Sequence, residues 1–229
     1  MARFNASLCR TSVEITPYVA AVPYVEIDED SIRYTATIFQ GYGVVDMDGE
    51  LEDVEFIYYG KFNYSDEQSF LASRLTGFNM AGSSFGAFPG QGFNLRVSDF
   101  LVDPSKAAAK MLSGNDTIIG SDYADKIDAY LGNDFIYAGK GNDHIIGGAG
   151  TNQLWGQAGK DTFYLSKGVG HSVVKDFRKG QDKISFLAGT SGLRISSKGL
   201  DAYIYQNNDL MAIVAGASGQ LKMNGSSLV

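Results

Sequence analysis

The chain has 229 residues, of which 44% are hydrophobic and 12% aromatic, and it carries 26 acidic against 19 basic side chains. This apolar fraction is sufficient for a buried core and excludes wholesale disorder. The net charge of −7, together with the lack of any Lys/Arg cluster in the sequence, argues against a nucleic-acid partner. The single cysteine, Cys9, cannot form an internal disulfide, so any extra stabilisation must come from another source such as a metal.

Charge and pattern divide the chain into three regions. Residues 1–110 contain 15 acidic and 8 basic side chains, residues 111–164 contain 7 and 3, and residues 165–229 contain 4 and 8. No stretch approaches eighteen apolar residues, so no transmembrane segment is predicted. The N-terminal sequence MARFNASLCRTSVEI lacks the apolar run of a general secretory signal peptide.

Region 1–110 is predicted to be a small α+β domain with a mostly antiparallel sheet. Strands are expected at Arg33–Phe39 and Glu55–Tyr59, which are rich in β-branched and aromatic residues, and the acidic segment Asp46–Asp53 is expected to form the turn between them. That segment also resembles half of an EF-hand loop, but its ligand spacing is wrong.

The second half of this region is predicted to contain two short helices. Ser65 and Gln68 have the spacing of a capping box that opens a helix ending near Gly77. A glycine-rich loop is expected at Gly77–Phe93, followed by a strand around Phe93–Val97. The second helix is expected to begin at Asp103-Pro104 and to run through Leu112.

From residue 111 the sequence follows a nine-residue period. The successive segments are MLSGNDTII, GSDYADKID, AYLGNDFIY, AGKGNDHII, GGAGTNQLW and GQAGKDTFY. The fourth position is usually glycine, the sixth is acidic or an amide, and the eighth is large and apolar. The fourth-position glycines are Gly114, Gly132, Gly141, Gly150 and Gly159; the sixth-position residues are Asp116, Asp125, Asp134, Asp143, Asn152 and Asp161; the eighth-position residues are Ile118, Ile127, Ile136, Ile145, Leu154 and Phe163.

This pattern predicts that each nine-residue unit forms a glycine-rich turn and a very short strand. Two successive units would then make one coil of 18 residues. Turns on the same side of such a coil belong to alternate units, so Asp116, Asp134 and Asn152 should stack on one edge. Asp125, Asp143 and Asp161 should stack on the other. Carboxylates about 4.8 Å apart, the spacing of neighbouring strands, repel unless a cation lies between them. Carboxylate and carbonyl oxygens are the ligands that Ca²⁺ prefers.

These segments resemble the repeats-in-toxin family of parallel β-rolls, which bind Ca²⁺ through a G-G-x-G-x-D-x-U-x nonapeptide. The resemblance implies ions shared by Asp116/Asp134, Asp125/Asp143 and Asp143/Asp161, with turn carbonyls of the fourth-position glycines as further ligands. Tyr123 and Asn152 depart from the consensus, so the Asp134/Asn152 site is expected to be weak or empty. The alternative is an ion-free solenoid whose aspartates only cap turns.

Residues 165–229 are predicted to form a β cap over the open end of the roll. Strands are expected at Leu193–Ser196, Ala202–Tyr205 and Met211–Val214. Asp176 and Asp182 are either additional ligands or exposed turn residues. The whole chain is thus expected to be mainly β.

The resemblance also implies a secreted, extracellular or surface-associated bacterial protein. Such proteins leave the cell through type I export machinery, and the ending Ser226-Ser227-Leu228-Val229 is consistent with its uncleaved C-terminal signal. The roll would stay unfolded at cytosolic Ca²⁺ and fold outside. The expected role is structural or adhesive, with a cell-surface, polysaccharide or protein partner and without catalysis.

An enzyme or a ligand carrier with its site in residues 1–110 is the alternative function. The two histidines, His144 and His171, do not form the H-E-x-x-H motif of a zinc protease. Gly82–Gly86 satisfies G-x-S-x-G around Ser84, but a nucleophile elbow needs a preceding strand and a following helix. The aromatic cluster Phe56–Tyr64 could contact a sugar or a protein, although such clusters usually belong to a core.

Overall fold

A computed structural model describes residues 109, 110 and 112–229 in full, and within residues 1–108 it describes the backbone of eight strands. In chain order these strands are β1 (Arg3–Asn5), β2 (Glu14–Ile15), β3 (Glu26–Ile27), β4 (Arg33–Tyr34), β5 (Ile38–Met47), β6 (Glu50–Lys61), β7 (Arg74–Gly82) and β8 (Gly86–Arg96). Strands β5 to β8 pair antiparallel in sequence order. Backbone pairing also joins β1 to the roll strand at Thr117–Ile119 and β2 to the roll strand at Lys126–Asp128, both in parallel.

The N-terminal strands differ from the sequence expectations at several points. The two predicted strands fall on β4, β5 and β6, but β5 and β6 remain paired as far as Met47 and Glu50, so the turn is much shorter than Asp46–Asp53. The loop predicted at Gly77–Phe93 is wrong, because β7 and β8 form an antiparallel hairpin there. Pairing with β6 on one side of β7 overrides the low strand propensity of its glycines.

The helices predicted for the N-terminal region lie mostly outside the described residues. Residues 62–73 are not among them, and β7 already begins at Arg74, so a helix cannot extend to Gly77. In the second predicted helix, Ala109 and Lys110 are helical and Leu112 lies in a turn. The G-x-S-x-G segment joins two antiparallel strands, which is not the strand-to-helix setting of a nucleophile elbow.

The nine-residue units form a parallel β-solenoid whose strands alternate between two sheets. They are β9 (Thr117–Ile119), β10 (Lys126–Asp128), β11 (Phe135–Tyr137), β12 (His144–Ile146), β13 (Gly150–Trp155) and β14 (Thr162–Leu165). One sheet contains β9, β11 and β13, and the other contains β10, β12 and β14. Phe135 pairs with Thr117 and Gln153, and His144 pairs with Lys126 and Thr162. The two-unit coil predicted from the repeat is therefore confirmed.

The interior of the roll is filled by the eighth-position residues. All six are at most 1% exposed, and in the short strands the neighbouring seventh- and ninth-position residues face outward. Burial of each large aliphatic side chain stabilises the fold by about 1.5–3 kcal/mol. Three-residue strands with one buried residue each cannot form a core alone, so stability depends on stacking of successive coils.

Beyond residue 165 the same two sheets continue into the cap. The strands are β15 (Gly170–Val174), β16 (Lys183–Phe186), β17 (Leu193–Lys198), β18 (Asp201–Gln206), β19 (Asp209–Val214), β20 (Met223–Asn224) and β21 (Ser227–Leu228). Strand β15 pairs in parallel with β13 and β19, and β16 pairs in parallel with β14. Strands β17, β18 and β21 complete the sheets with antiparallel pairs. The three strands predicted from the sequence are confirmed. Within the described part of the chain, no helix has the length and apolar character needed to cross a bilayer.

The fourth-position glycines are required by close approach of successive turns. Gly141 has a φ of +125°, and a Cβ there would collide with the carbonyl oxygen of Tyr123, the corresponding residue one coil earlier. Gly180 also has a positive φ, +77°, but nothing lies within 4 Å of its Cβ position. A substitution at Gly180 therefore costs only the strain of the backbone conformation, whereas a substitution at Gly141 also costs the collision.

We expect Gly141→Ala to lower the free energy of unfolding by about 2–5 kcal/mol, because about 1–2 kcal/mol of conformational strain is joined by about 1–3 kcal/mol of overpacking. Gly180→Ala should lose only the strain of about 1–2 kcal/mol. Thermal unfolding of both variants in saturating Ca²⁺ measures the difference. Equal losses would show that the turns do not stack as closely as the structure indicates.

Candidate metal centre

The sixth-position polar residues are buried at the ends of the turns. Each of the six is at most 1% exposed: Asp116, Asp125, Asp134, Asp143, Asn152 and Asp161. Asp116 and the four other aspartates directly precede their strands, whereas Asn152 lies within β13. Burial of five carboxyl groups along a roll that is only two sheets wide requires hydrogen bonds or a counter-charge.

One side-chain oxygen of each later residue is bonded to the preceding coil. On the first edge, the backbone N–H of Asp116 donates to Asp134 Oδ1 at 2.8 Å, and that of Asp134 donates to Asn152 Oδ1 at 2.9 Å. On the second edge, Asp125 N–H donates to Asp143 Oδ1 at 2.9 Å and Asp143 N–H donates to Asp161 Oδ1 at 3.1 Å. The structure therefore brings together the residues predicted to stack on each edge.

The second carboxylate oxygen is what distinguishes these turns. Among the described residues, no hydrogen-bond donor reaches the buried Oδ2 of Asp134, Asp143 or Asp161. A buried acceptor without a partner costs about 1–3 kcal/mol, and more when it is charged. These oxygens fit a bound cation, whereas aspartates that only cap turns would have both oxygens hydrogen-bonded.

The environment of these carboxyl groups opposes their negative charge. Burial raises the pKa of Asp134 to about 7, with the nearby Asp116 carboxylate adding to the effect. Burial likewise raises the pKa of Asp143 to about 7, and Asp161 and Asp125 reinforce it. For Asp161 the pKa rises to about 6, again mainly through burial, while the charge of Arg178 lowers it. A positive ion beside these carboxyl groups would favour their ionised form.

In two turns the sixth-position side chain instead finds additional hydrogen-bond partners within its own turn. Ser121 donates to Asp125 through its backbone N–H at 2.6 Å and through its hydroxyl at 2.8 Å. Asn152 Nδ2 donates to the carbonyl oxygen of Gly147 at 2.7 Å. These are the two units that depart from the consensus, at Tyr123 and at Asn152.

The cap contributes two further aspartates to the edges. Asp176 accepts the backbone N–H groups of Gly156 and Gln157 at 3.0 and 2.8 Å. Asp182 accepts that of Asp161 through Oδ1 at 3.1 Å and that of Arg178 through Oδ2 at 2.7 Å. Both carboxylates thus use their oxygens to cap turns.

Backbone carbonyls lie beside the carboxylates. The carbonyl oxygens of Gly114, Gly132 and Gly141 point toward the next fourth-position glycines, Gly132, Gly150 and Gly159 respectively. Within the described residues, no group of three or more His, Cys, Asp or Glu side chains could hold a metal. A cation on either edge would therefore be coordinated by two carboxylates from successive coils together with carbonyl oxygens, which is hard-cation chemistry.

Residues 112–145 and 137–169 match the family model of the RTX calcium-binding nonapeptide repeat (4 copies). Residues 112–169 are RTX calcium-binding repeats. The resemblance to repeats-in-toxin β-rolls is thereby confirmed by both the match and the solenoid. Comparison of the chain with curated proteins gave no match.

Some polar side chains of the RTX roll and of the cap contact the turns, although the periodicity did not single them out. Ser121, Arg178 and Gln181 each act on a turn, but none lies at a sixth position. Ser121 occupies the second position of its unit, where the consensus has glycine. This departure from the consensus is the sequence signal by which Ser121 could have been found. His144 is exposed, as expected, and its ring packs edge-on against Tyr164 with 5.4 Å between centroids.

Proposed function

We propose that the RTX roll binds Ca²⁺ between successive turns on both edges and that this binding drives its folding. The buried Oδ2 atoms of Asp134, Asp143 and Asp161 carry the proposal, because they are acceptors for which the described residues supply no hydrogen bond. The proposed ligand pairs are Asp116/Asp134, Asp125/Asp143 and Asp143/Asp161, with carbonyls of the fourth-position glycines. In the pair Asp125/Asp143 the open oxygen is Asp143 Oδ2, because Ser121 donates to both oxygens of Asp125. Ca²⁺ supplies the positive charge that lets both carboxylates of a pair remain ionised at close range.

The pair Asp134/Asn152 is proposed to bind weakly or not at all. Asn152 is fully buried, its Oδ1 accepts from Asp134 N–H, and its Nδ2 donates to Gly147. The amide nitrogen thus faces a carbonyl that would otherwise be available to an ion. A neutral amide also leaves only one carboxylate in the pair.

Ca²⁺ binding should be measurable by equilibrium dialysis of the full chain against ⁴⁵Ca²⁺. We expect the wild type to bind several ions with millimolar or tighter affinity and Asn152→Asp to bind about one ion more, because the substitution restores a carboxylate and removes the donor to Gly147. Asn207→Asp, which adds the same charge at an exposed turn residue, should leave the number unchanged. A wild type that binds no Ca²⁺ at millimolar concentration would refute the proposal.

The coupling to folding is thermodynamic linkage. Each ion present at 100 times its dissociation constant adds about 2.7 kcal/mol to the stability of the folded roll. Two or three ions therefore contribute as much as the whole net stability of many domains, about 5–15 kcal/mol. The roll should be unstable in a low-Ca²⁺ compartment and stable in a high-Ca²⁺ one.

We extend the proposal to location and role. A roll that folds on millimolar Ca²⁺ suits a protein that passes through type I export machinery unfolded and folds outside, with a structural or adhesive role at a cell surface, a polysaccharide or a protein. Outward-facing aromatic side chains on the roll support a contact role: Tyr137 stacks on Trp155 with ring centroids 4.6 Å apart. Protease-resistant roll in the medium and protease-sensitive chain in the cytosol are the expected result; folded chain in the cytosol would contradict it.

A further inference from the structure

The last acidic turn of the second edge contains a cation that belongs to the protein. Asp161 lies opposite Asp182 in this stack, since Thr162 pairs with Lys183. Arg178 Nη2 lies 4.0 Å from Asp161 Oδ2, and Arg178 Nε lies 4.0 Å from Asp182 Oδ2. The guanidinium therefore stands near both carboxylates, in the part of the turn where a cation is proposed for the preceding pairs.

A second donor serves the carbonyl side of the same turn. Gln181 Nε2 donates a hydrogen bond to the carbonyl oxygen of Gly159, the fourth-position glycine of the Asp161 unit. This carbonyl belongs to the class of oxygen that the preceding turns offer to an ion. Arg178 and Gln181 thus supply N–H groups close to both kinds of oxygen, carboxylate and carbonyl, on one face of a single turn.

Hydrogen bonds close the backbone turn that carries these side chains. The carbonyl oxygen of Arg178 accepts the N–H groups of Gln181 and Asp182 at 3.1 and 2.8 Å, and Arg178 N–H donates to Asp182 Oδ2. The segment is therefore a closed turn with Arg178 at its start and Asp182 at its end. An arginine is a suitable permanent counter-ion because its guanidinium does not lose its proton in proteins.

We infer that Arg178 is an internal counter-cation that takes the place of a calcium ion between Asp161 and Asp182, so that this turn closes without Ca²⁺. The inference rests on the proposed function, since it concerns where the series of ion sites ends.

Removal of the guanidinium should open one additional ion site. We expect full-length Arg178→Gln to bind about one more Ca²⁺ than the wild type in equilibrium dialysis. Its folding, followed by the fluorescence of Trp155, the one tryptophan of the chain, should also depend more steeply on Ca²⁺ concentration. Arg178→Lys, which keeps the charge, should bind the wild-type number. Lys179→Gln, which removes an exposed neighbouring charge, should do the same.

Each outcome decides the inference. An unchanged number of ions in Arg178→Gln would overturn it, and so would failure of this variant to fold at any Ca²⁺ concentration, because Ca²⁺ is expected to replace the lost cation. An extra ion in Lys179→Gln would overturn it as well by showing that net charge alone sets the count. A wild type that binds no Ca²⁺ would instead refute the proposed function, and the two failures are thereby distinguishable.

Discussion

Replacement of Asp143 by alanine should raise the Ca²⁺ concentration needed for folding by at least about tenfold. Asp143 is the proposed ligand of two ions, and loss of each ion at 100 times its dissociation constant removes about 2.7 kcal/mol. The substitution also leaves the N–H of Asp125 without the acceptor Asp143 Oδ1, which costs a further 1–3 kcal/mol or so. Titration of full-length protein with Ca²⁺, followed by Trp155 fluorescence, gives the midpoint.

Two substitutions serve as controls for Asp143→Ala. Asp122→Ala removes the same charge from a turn where the side chain is 62% exposed and paired with Lys140, so its midpoint should stay close to that of the wild type. Asn152→Ala should lower stability through the loss of its three side-chain hydrogen bonds while leaving the number of bound ions unchanged. A larger shift of the midpoint in Asn152→Ala than in Asp143→Ala would show that the proposed pairing of ligands is wrong.

Acidification should weaken Ca²⁺ binding to the folded roll by at least about tenfold between pH 7.5 and pH 5.5. The folded, ion-free roll holds the pKa of Asp134 and Asp143 at about 7 and that of Asp161 at about 6, above the ordinary value of 3.8. In the folded state Asp134 and Asp143 become mostly protonated below about pH 7 and Asp161 below about pH 6, and Ca²⁺ must displace these protons. When the pH is 1.5 units below the pKa of a ligand carboxyl, proton competition reduces the apparent Ca²⁺ affinity about 30-fold.

The same pKa shifts affect the stability of the ion-free folded roll in the opposite direction, because acidification makes this state more stable. Between about pH 4 and pH 7 its folded state binds more protons than the unfolded chain, so its stability falls as the pH rises through this window. Because the aspartates are ionised above about pH 5 both in the unfolded chain and in the Ca²⁺-bound roll, the Ca²⁺ midpoint of folding should change little from pH 5.5 to 8.5. The Ca²⁺ affinity of the folded roll, measured by ⁴⁵Ca²⁺ dialysis at concentrations where Trp155 emission shows the chain folded, should instead rise with pH and level off above about pH 7.5. The control is His144→Gln, which removes the imidazole that follows Asp143 in the chain. A Ca²⁺ affinity of the folded roll that is independent of pH would show that the aspartates are not the ligands.

The roll was predictable from sequence because its information is local and periodic. One buried residue per unit, one glycine and one acid recur in phase, and this fixes both the 18-residue coil and the two edges. The register confirms it, with Asp116 and Asp134 joined by a hydrogen bond across 18 residues. Such a repeat needs no knowledge of distant contacts, since each coil packs only on its neighbours.

The cap was less predictable because the residues in contact there are not separated by a regular number of positions in the sequence. Gly150 pairs with Gly170 and Thr162 with Lys183, so the spacing increases where the nonapeptides end. The sequence left Asp176 and Asp182 as either ligands or exposed turn residues, whereas the structure has them capping backbone N–H groups. Arg178 acts on Asp161 through a turn whose geometry emerges only when the cap is folded.

In the N-terminal region, composition was misleading. Glycine enrichment predicted a loop at Gly77–Phe93, but pairing between β6, β7 and β8 makes a hairpin there. The alternative of an enzyme or ligand carrier depends on side chains of residues 1–108, which lie outside the described part of the chain, so it stays a prediction. The proposed function therefore rests on the RTX roll.

The central claim is that Ca²⁺ drives folding of the roll, and Trp155 provides the most direct test of it. This tryptophan lies in β13, stacked on Tyr137 and with Lys175 Nζ 5.7 Å from its ring centroid. In full-length protein moved from EGTA to millimolar Ca²⁺, we expect a cooperative change in Trp155 emission together with a gain of far-UV β signal. Mg²⁺ at the same concentration should produce neither, because it prefers a smaller octahedral site. Identical spectra in EGTA and in Ca²⁺ would contradict the account.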